Sequence, residues 1–385
     1  MLEVSRIIKK IEGDKSGPTM VFFGGIHGNE KSGVYALQQA LKPIDKTKVN
    51  GTIYAIAGNI KALSQNFRYI DQDLNRIWTF ENIKKIKNKT VLNNEEQELL
   101  ELLEILESIL EASNTPLYFI DLHTTSSKTL PFITINDALI NRTFSKQFPV
   151  PIVLGIEEYL EGPLLSYINQ MGYVSLGFES GQHDDIQSVQ NNIAFIKLAL
   201  VFADCLKREN VEDYEAHYKL LEEQGKFKSH FFEIAYLFSI SKSDNFKMYP
   251  GFDSFQTIKK GEKIATNNKS EITSDYDARI FMPLYQKKGA EGFFVIRTVQ
   301  PFFLRLSTTL RALKVDGLLR LLPGITWLNK REGVLKVNLK IAKFMAKPIF
   351  HLLGYRSRQV TQTHLYLYNR ERVAKTGLYK GAPWY

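Results

Sequence analysis

Over residues 1–210 the sequence predicts an α/β fold with a mostly parallel central sheet flanked by helices. Three observations carry that expectation: apolar runs of strand length, helical spacing between them, and turn or stop residues where the two meet. TMVFFGG (19–25) is a short apolar run ending in glycines and reads as a buried strand. Glu30 to Leu41 has helical spacing, and GTIYAIAGN (51–59) reads as the second strand. Glu95 to Leu110 carries leucines three and four apart, an amphipathic helix that ends before Asn114 and Pro116. LYFIDLH (117–123) and GYVSLGFES (172–180) are further strands, and a helix follows from about Asp184 to Leu206.

The pattern then changes. Arg208–Lys228 is polar and charged, a linker or an exposed helix. Residues 211–300 contain short strand-like pieces separated by turn residues, as in YPGFDS, KKGEKIA and QKKGAEGFFVI, and predict a small β-domain, a barrel or sandwich. Residues 301–385 are leucine-rich and basic, with helical spacing around Leu304–Leu322 and Val337–Leu353, and predict a basic, partly helical C-terminal extension.

Charge follows the same division. The 385-residue chain has a net charge of +9, yet Pro301–Tyr385 holds 16 Lys/Arg against 3 Asp/Glu. Residues 1–300 hold 34 basic and 38 acidic groups. The basic character belongs to the extension, where a solvated lysine-rich face is the plain reading and an anionic membrane surface the sharper one. LRLSTTLRALKVDGLLRLL (304–322) mixes leucine and basic residues as an interfacial helix does, although a helix packed on the α/β domain fits the same spacing. No nucleic-acid partner is expected. The single cysteine, Cys205, rules out an internal disulfide and fits a reducing compartment. The charged N-terminal stretch has no apolar h-region, and no apolar run approaches membrane-spanning length, so the expected location is cytoplasmic.

The chemistry concentrates at strand ends. In GGIHGNE (24–30), His27 and Glu30 stand three apart at a helix entrance, and Gly24, Gly25 and Gly28 permit the tight backbone. An imidazole and a carboxylate suit zinc, and cobalt, nickel or manganese fit as well. A catalytic zinc needs a third protein ligand, for which His123 at the end of another strand is the best candidate, because neighbouring parallel strands bring their ends to one edge. Taken singly, a His-x-x-Glu pair is more often surface or packing, and a histidine after a strand is more often structural.

NFRYIDQDLNR (66–76) offers Arg68, Asp73, Asn75 and Arg76. One arginine near a metal can stabilise an oxyanion, another beside an asparagine can clamp a carboxylate, and an aspartate can orient a ligating histidine. The alternative is a salt-bridged loop. Glu179, in LGFESGQHDD (176–185), lies at a strand end behind apolar residues, where a carboxylate is buried with a partner or positioned to move a proton. His183 is assigned a helix-entrance or surface role in preference to ligand or base. His217, His230, His351 and His364 fall in no constellation.

GGIHGNE, RYIDQDLNR, DLHTTSS and FESGQ, in this order, resemble the succinylglutamate desuccinylase/aspartoacylase family, a branch of the zinc carboxypeptidase-like fold. YPGFDSF, KKGEKIAT and MPLYQKKGAEGFFVIR are similar to its C-terminal β-domain. The resemblance implies one zinc per chain on His27, Glu30 and His123, with Glu179 as general base and acid. It implies that Arg68 polarises the scissile carbonyl, that Asn75 and Arg76 hold the substrate carboxylate, that Asp73 backs His27, and that Tyr285 reaches the pocket. It also implies hydrolysis of an amide bond in a small N-acyl amino acid or related carboxylate. One departure matters: EYLEGPLLSYINQMGY (158–173) contains no arginine. Aspartoacylase-like members use an arginine there for the acidic side chain of the substrate, so the reaction class transfers and the substrate does not. The alternatives are a carboxypeptidase acting on short peptides and, further off, a non-catalytic binding protein using the basic tail. The GEKIAT…EITS pattern faintly resembles carrier barrels, with Lys269 as the presented lysine, and that weak motif carries little weight.

Overall fold

The computed structural model describes residues 4–342, 347–359, 361 and 363–385. Its strands run in chain order β1 (Ile7–Glu12), β2 (Asp14–Gly24), β3 (Asn50–Ala57), β4 (Leu117–Thr125), β5 (Phe132–Ile135), β6 (Ile152–Leu154), β7 (Val174–Gln182) and β8 (Phe231–Ser239). There follow β9 (Phe246–Met248), β10 (Thr257–Ile258), β11 (Lys263–Asn267), β12 (Ser270–Thr273), β13 (Ala278–Phe281) and β14 (Glu291–Thr298). Eleven of these form one sheet in the order β1-β3-β2-β4-β7-β5-β6-β8-β14-β13-β10. β3, β2, β4 and β7 are mutually parallel, as are β5, β6 and β8.

β2 shows why the sheet is buried on both faces. Met20 and Phe22 enter one apolar cluster, with Leu37 and Leu41 of helix Ser32–Leu41 and Phe195 of helix Ile186–Phe202. Val21 and Phe23 point the other way, against Leu99, Leu102 and Leu106 of helix Asn94–Ala112. This period of two on a strand apolar throughout is the signature of a parallel sheet between helical layers. Helix Asn94–Ala112 begins with a capping box, in which the Asn93 side chain accepts from the Glu96 amide and the Glu96 carboxylate accepts from the Asn93 amide.

Two expectations need correction. Residues 211–300 do not close into a separate barrel. After helix Tyr214–Gly225, β8 pairs parallel with β6, and β14, β13 and β10 extend the main sheet beyond it. β9, β11 and β12 form a separate three-stranded sheet beside it. The link was hidden because β6 is only three residues long. The extension is also less helical than its leucines suggested. Helix Pro301–Ala312 and a 3₁₀ turn over Val315–Leu321 are present. Beyond them lie β15 (Ile325–Asn329), β16 (Val334–Asn338), β17 (Tyr355–Gln359) and β18 (His364–Asn369), an antiparallel sheet ordered β15-β16-β18-β17. Leu335 and Val337 of β16 and Leu365 and Leu367 of β18 share one buried cluster at strand spacing, a period of two read as a helical one.

The extension is built into the catalytic layer. Tyr379 and Trp384 lie in the same cluster as Tyr118 and Phe144, and Tyr379 Oη donates to the Leu117 carbonyl while accepting from the Val174 amide. Buried Arg311 pairs with Asp137 and Glu371, and buried Arg370 pairs with Glu157 and Glu158.

Candidate metal centre and substrate pocket

The carboxyl ends of β2, β4 and β7 lie side by side, with Gly24 registered against Leu122 and His123 against Glu179. That is the edge where open α/β sheets place their sites. After β2 the chain must turn sharply. Gly25 has φ +74°, and a side chain at Gly28 would run into the backbone of Ala62, its Cβ 2.1 Å from the carbonyl carbon. The turn brings His27 and Glu30 inward, both buried.

His27, Glu30 and His123 offer one donor atom each within 4.8 Å of one another. Glu30 lies between the two rings: His27 Nδ1 is 2.9 Å from its Oε1 and His123 Nδ1 is 2.9 Å from its Oε2. Each ring turns its other nitrogen to an aspartate, His27 Nε2 to Asp73 Oδ1 at 3.0 Å and His123 Nε2 to Asp121 Oδ2 at 2.6 Å. An acid behind each histidine fixes ring orientation and raises its basicity as a ligand. Burial would push the Glu30 carboxyl up, but the neighbouring imidazoles hold it well below the usual range. His123 is held well above the ordinary imidazole range, burial being outweighed by Asp121 and Glu30. Two imidazoles and a carboxylate, buried, convergent and backed by acids, fit a zinc-type divalent cation.

Glu179 stands beside this group, 8% exposed, its Oε2 without a hydrogen-bond partner among the described residues. Burial, together with the charges of Glu30 and Asp121, outweighs the pull of His123 and raises it to about 8. Arg68 donates to Asp73 Oδ2 from Nη2 at 3.0 Å and reaches Glu30 Oε1 from Nη1 at 3.4 Å. The loop that carries Arg68 to Arg76 is folded around buried Glu95, whose carboxylate accepts the amides of Ile70, Asp71 and Gln72 at 2.7, 2.9 and 3.1 Å.

His27, Glu30, Arg68, His123 and Glu179 line one cavity of about 140 Å³, the space open to the centre of a water molecule. Asn75 lines it too, its Oδ1 accepting from the Leu164 amide. Arg76 lies on its wall but pairs with Glu291 of β14, Nη2 to Oε1 at 2.9 Å. The loop between β13 and β14 roofs the cavity with Pro283, Leu284, Gln286 and Gly289. Lys288 holds the roof to the arginine loop through the Tyr69 carbonyl at 2.6 Å. Away from the ligand group the lining mixes Thr134, Asn136, Ser166, Asn169 and Ser175 with apolar Ile135, Ile156, Leu160 and Leu165, and includes Glu157, whose carboxylate pairs with Arg370. The lining arginines are Arg68 and Arg76, and each already faces a carboxylate.

Two expectations fail here. Tyr285 does not line the cavity: its hydroxyl donates to the Tyr249 carbonyl and accepts from the Phe252 amide, because the roof turns the ring toward the β-rich region. His183 stands at the entrance of helix Ile186–Phe202, one of its two expected roles, and the surface role is the one that fails. It lines the cavity, Nδ1 2.7 Å from Thr124 Oγ1 and Nε2 3.3 Å from Gln286 Oε1, outside the metal-ligating group. Burial lowers its pKa. Asp121, Glu95, Gln286 and Glu291 were missed. Asp121 alone gave a signal, an acid two residues before a candidate ligand in a strand otherwise apolar up to that histidine.

Fold and site together define an α/β protein with a candidate His–Glu–His metal centre on the carboxyl edge of its parallel strands. Residues 16–203, just under half of the chain, match the succinylglutamate desuccinylase/aspartoacylase catalytic domain, a match that supports the family. A probable aspartoacylase from Acaryochloris marina is 28% identical over 161 residues, which are 40% of this chain and 52% of that protein. An aspartoacylase from Xenopus tropicalis is 36% identical over 70 residues, 18% of this chain and 22% of the relative. The matched stretch thus spans about half, or less, of these relatives' length. The succinylglutamate desuccinylase/aspartoacylase of Rhodobacter sphaeroides has the same fold, with a TM-score of 0.56 at 16% identity over 76% of this chain and 88% of that one. The product-bound ectoine utilization protein EutE (DoeB) of Ruegeria pomeroyi also has a TM-score of 0.56, at 18% identity over the same shares.

Proposed function

We propose that this protein is a zinc-dependent amidohydrolase that removes the acyl group from a small N-acyl amino acid or related carboxylate. The observation that carries the reading is the group of His27, Glu30 and His123 beside a buried, partnerless Glu179 oxygen. A zinc ion bound there would supply Lewis acidity and make water a competent nucleophile near neutral pH. Glu179, with its raised affinity for protons, accepts the proton of the attacking water and returns it to the departing nitrogen. Arg68 donates to the carbonyl oxygen as negative charge gathers on it. Arg76 and Asn75 hold the substrate carboxylate, and the roof over residues 283–291 keeps bulk water and long chains out.

A lining with no arginine or lysine besides Arg68 and Arg76, and with the Glu157 carboxylate in it, favours an N-acyl amino acid whose side chain is small or uncharged over one carrying a second carboxylate. The same roof weighs against the carboxypeptidase reading, since a peptide would have to thread beneath it. The test is a panel of N-acyl amino acids with acidic, neutral and basic side chains, alongside short peptides, assayed with zinc. Turnover confined to N-acyl amino acids and lost in Glu179→Gln supports the proposal. Preferential release of C-terminal residues from peptides would favour the alternative.

A further inference from the structure

The extension carries an exposed apolar stripe that the catalytic reading does not use. The 3₁₀ segment Val315–Leu321 repeats every three residues, so positions three apart eclipse and the turn has three faces. Asp316 and Leu319 face inward: Asp316 accepts from Arg372 Nη2 at 2.6 Å, and Leu319 enters the core of the antiparallel sheet. Leu318 and Leu321 face solvent on a second stripe, 61% and 72% exposed. Lys314 and Arg320 flank them on the third face, exposed and without an ion pair among the described residues. Ile341, 59% exposed, lies beside Gly324 and prolongs the apolar stripe. Leucines this exposed occur among the described residues only between positions 313 and 328.

We propose that this face docks on the surface of an anionic lipid bilayer, with Leu318, Leu321 and Ile341 entering the boundary between headgroups and acyl chains. Lys314 and Arg320 then meet the anionic headgroups. Such pairing of aliphatic and cationic stripes is how an interfacial segment binds. The inward anchors at Asp316 and Leu319 fix the orientation, so the leucines cannot turn into the core. A second copy of the chain is a poor occupant, because residues 301–385 carry 16 basic and 3 acidic groups and would face their like. The core of a protein interface is likewise depleted of lysine. No helix among the described residues is long and apolar enough to cross a membrane, so the contact is peripheral.

Co-sedimentation of the full chain with vesicles of equal parts phosphatidylcholine and phosphatidylserine, and with pure phosphatidylcholine, tests this at low and moderate salt. Thermal melts show that each variant is folded. Binding should require phosphatidylserine and weaken with salt. Lys314→Gln with Arg320→Gln should weaken it about 30-fold. Leu318→Ser with Leu321→Ser should abolish sedimentation without lowering the melting temperature. No binding to either vesicle, or binding indifferent to both pairs, overturns the proposal. So does a concentration-dependent dimer that the leucine pair dissolves, which would assign the face to a second copy.

Discussion

Arg76 Nη2 lies 2.9 Å from Glu291 Oε1, so the guanidinium assigned to a substrate carboxylate already holds one of the protein's own. A substrate must displace Glu291 or share the arginine with it. Glu291→Gln should therefore lower KM for N-acyl amino acids by about fivefold to tenfold, the worth of about one ordinary hydrogen bond, and change kcat less. A rise in KM would show that Glu291 positions Arg76 and does not compete for it.

Asp121 stands behind His123 as Asp73 stands behind His27. Asp121→Asn should weaken zinc binding about 10- to 100-fold and leave the fold intact. Metal affinity should also rise with pH, because His123 holds its proton well above the ordinary imidazole range and must release it to bind. Titration calorimetry at several pH values reads both effects. Unchanged affinity in Asp121→Asn would remove this aspartate from the site.

Glu95 gathers three consecutive amides of the arginine loop from within the fold. Replacing it by alanine leaves those donors without their acceptor, at a cost of about 2–4 kcal/mol. Hydrogen exchange at residues 70–72 should accelerate before the rest of the sheet does. Exchange that stays slow there would mean the loop is held by other contacts.

Acid should loosen the extension through Glu158. Burial opposes its charge, but His351 and Arg370 prevail and lower it from about 4.5 to about 2. A depressed folded value means the stabilisation is complete above pH 4.5 and fades as pH falls toward 2. Over that window the contacts of Glu158 with His351 and Arg370 together lose about 3 kcal/mol. In Arg370→Gln, which leaves the His351 contact in place, the acid transition should move part of the way up toward pH 4.5. An unchanged acid midpoint in that variant would show that Glu158 does not carry this dependence.

Much of the fold was legible because β2, β3, β4 and β7 are apolar runs bounded by glycine or by stop signals, and because helix Asn94–Ala112 repeats its leucines faithfully. The elements that escaped are short or ambiguous in period. β6 has three residues, and β16 places Leu335 and Val337 among leucines that also suit a helix. In the site, His27, Glu30 and His123 were visible because imidazoles and a carboxylate stand out chemically at the ends of apolar strands. Glu291 and Gln286 were not, since they reach the cavity from more than 200 residues beyond His27 and Arg76 by way of sheet pairing. No local pattern in GAEGFF or LYQKK announces that approach. Tyr285 shows the converse: MPLYQ offered it as a candidate for the pocket, and the roof turns its ring elsewhere.

The most direct test is the metal content of the purified chain and of its His27→Ala and His123→Ala variants, measured by inductively coupled plasma mass spectrometry after dialysis against metal-free buffer. The account predicts close to one zinc per chain in the parent protein and almost none in either variant, with all three still folded. Stoichiometric zinc retained when either histidine is gone, or a parent protein that neither holds zinc nor takes it up when zinc is supplied, would contradict it.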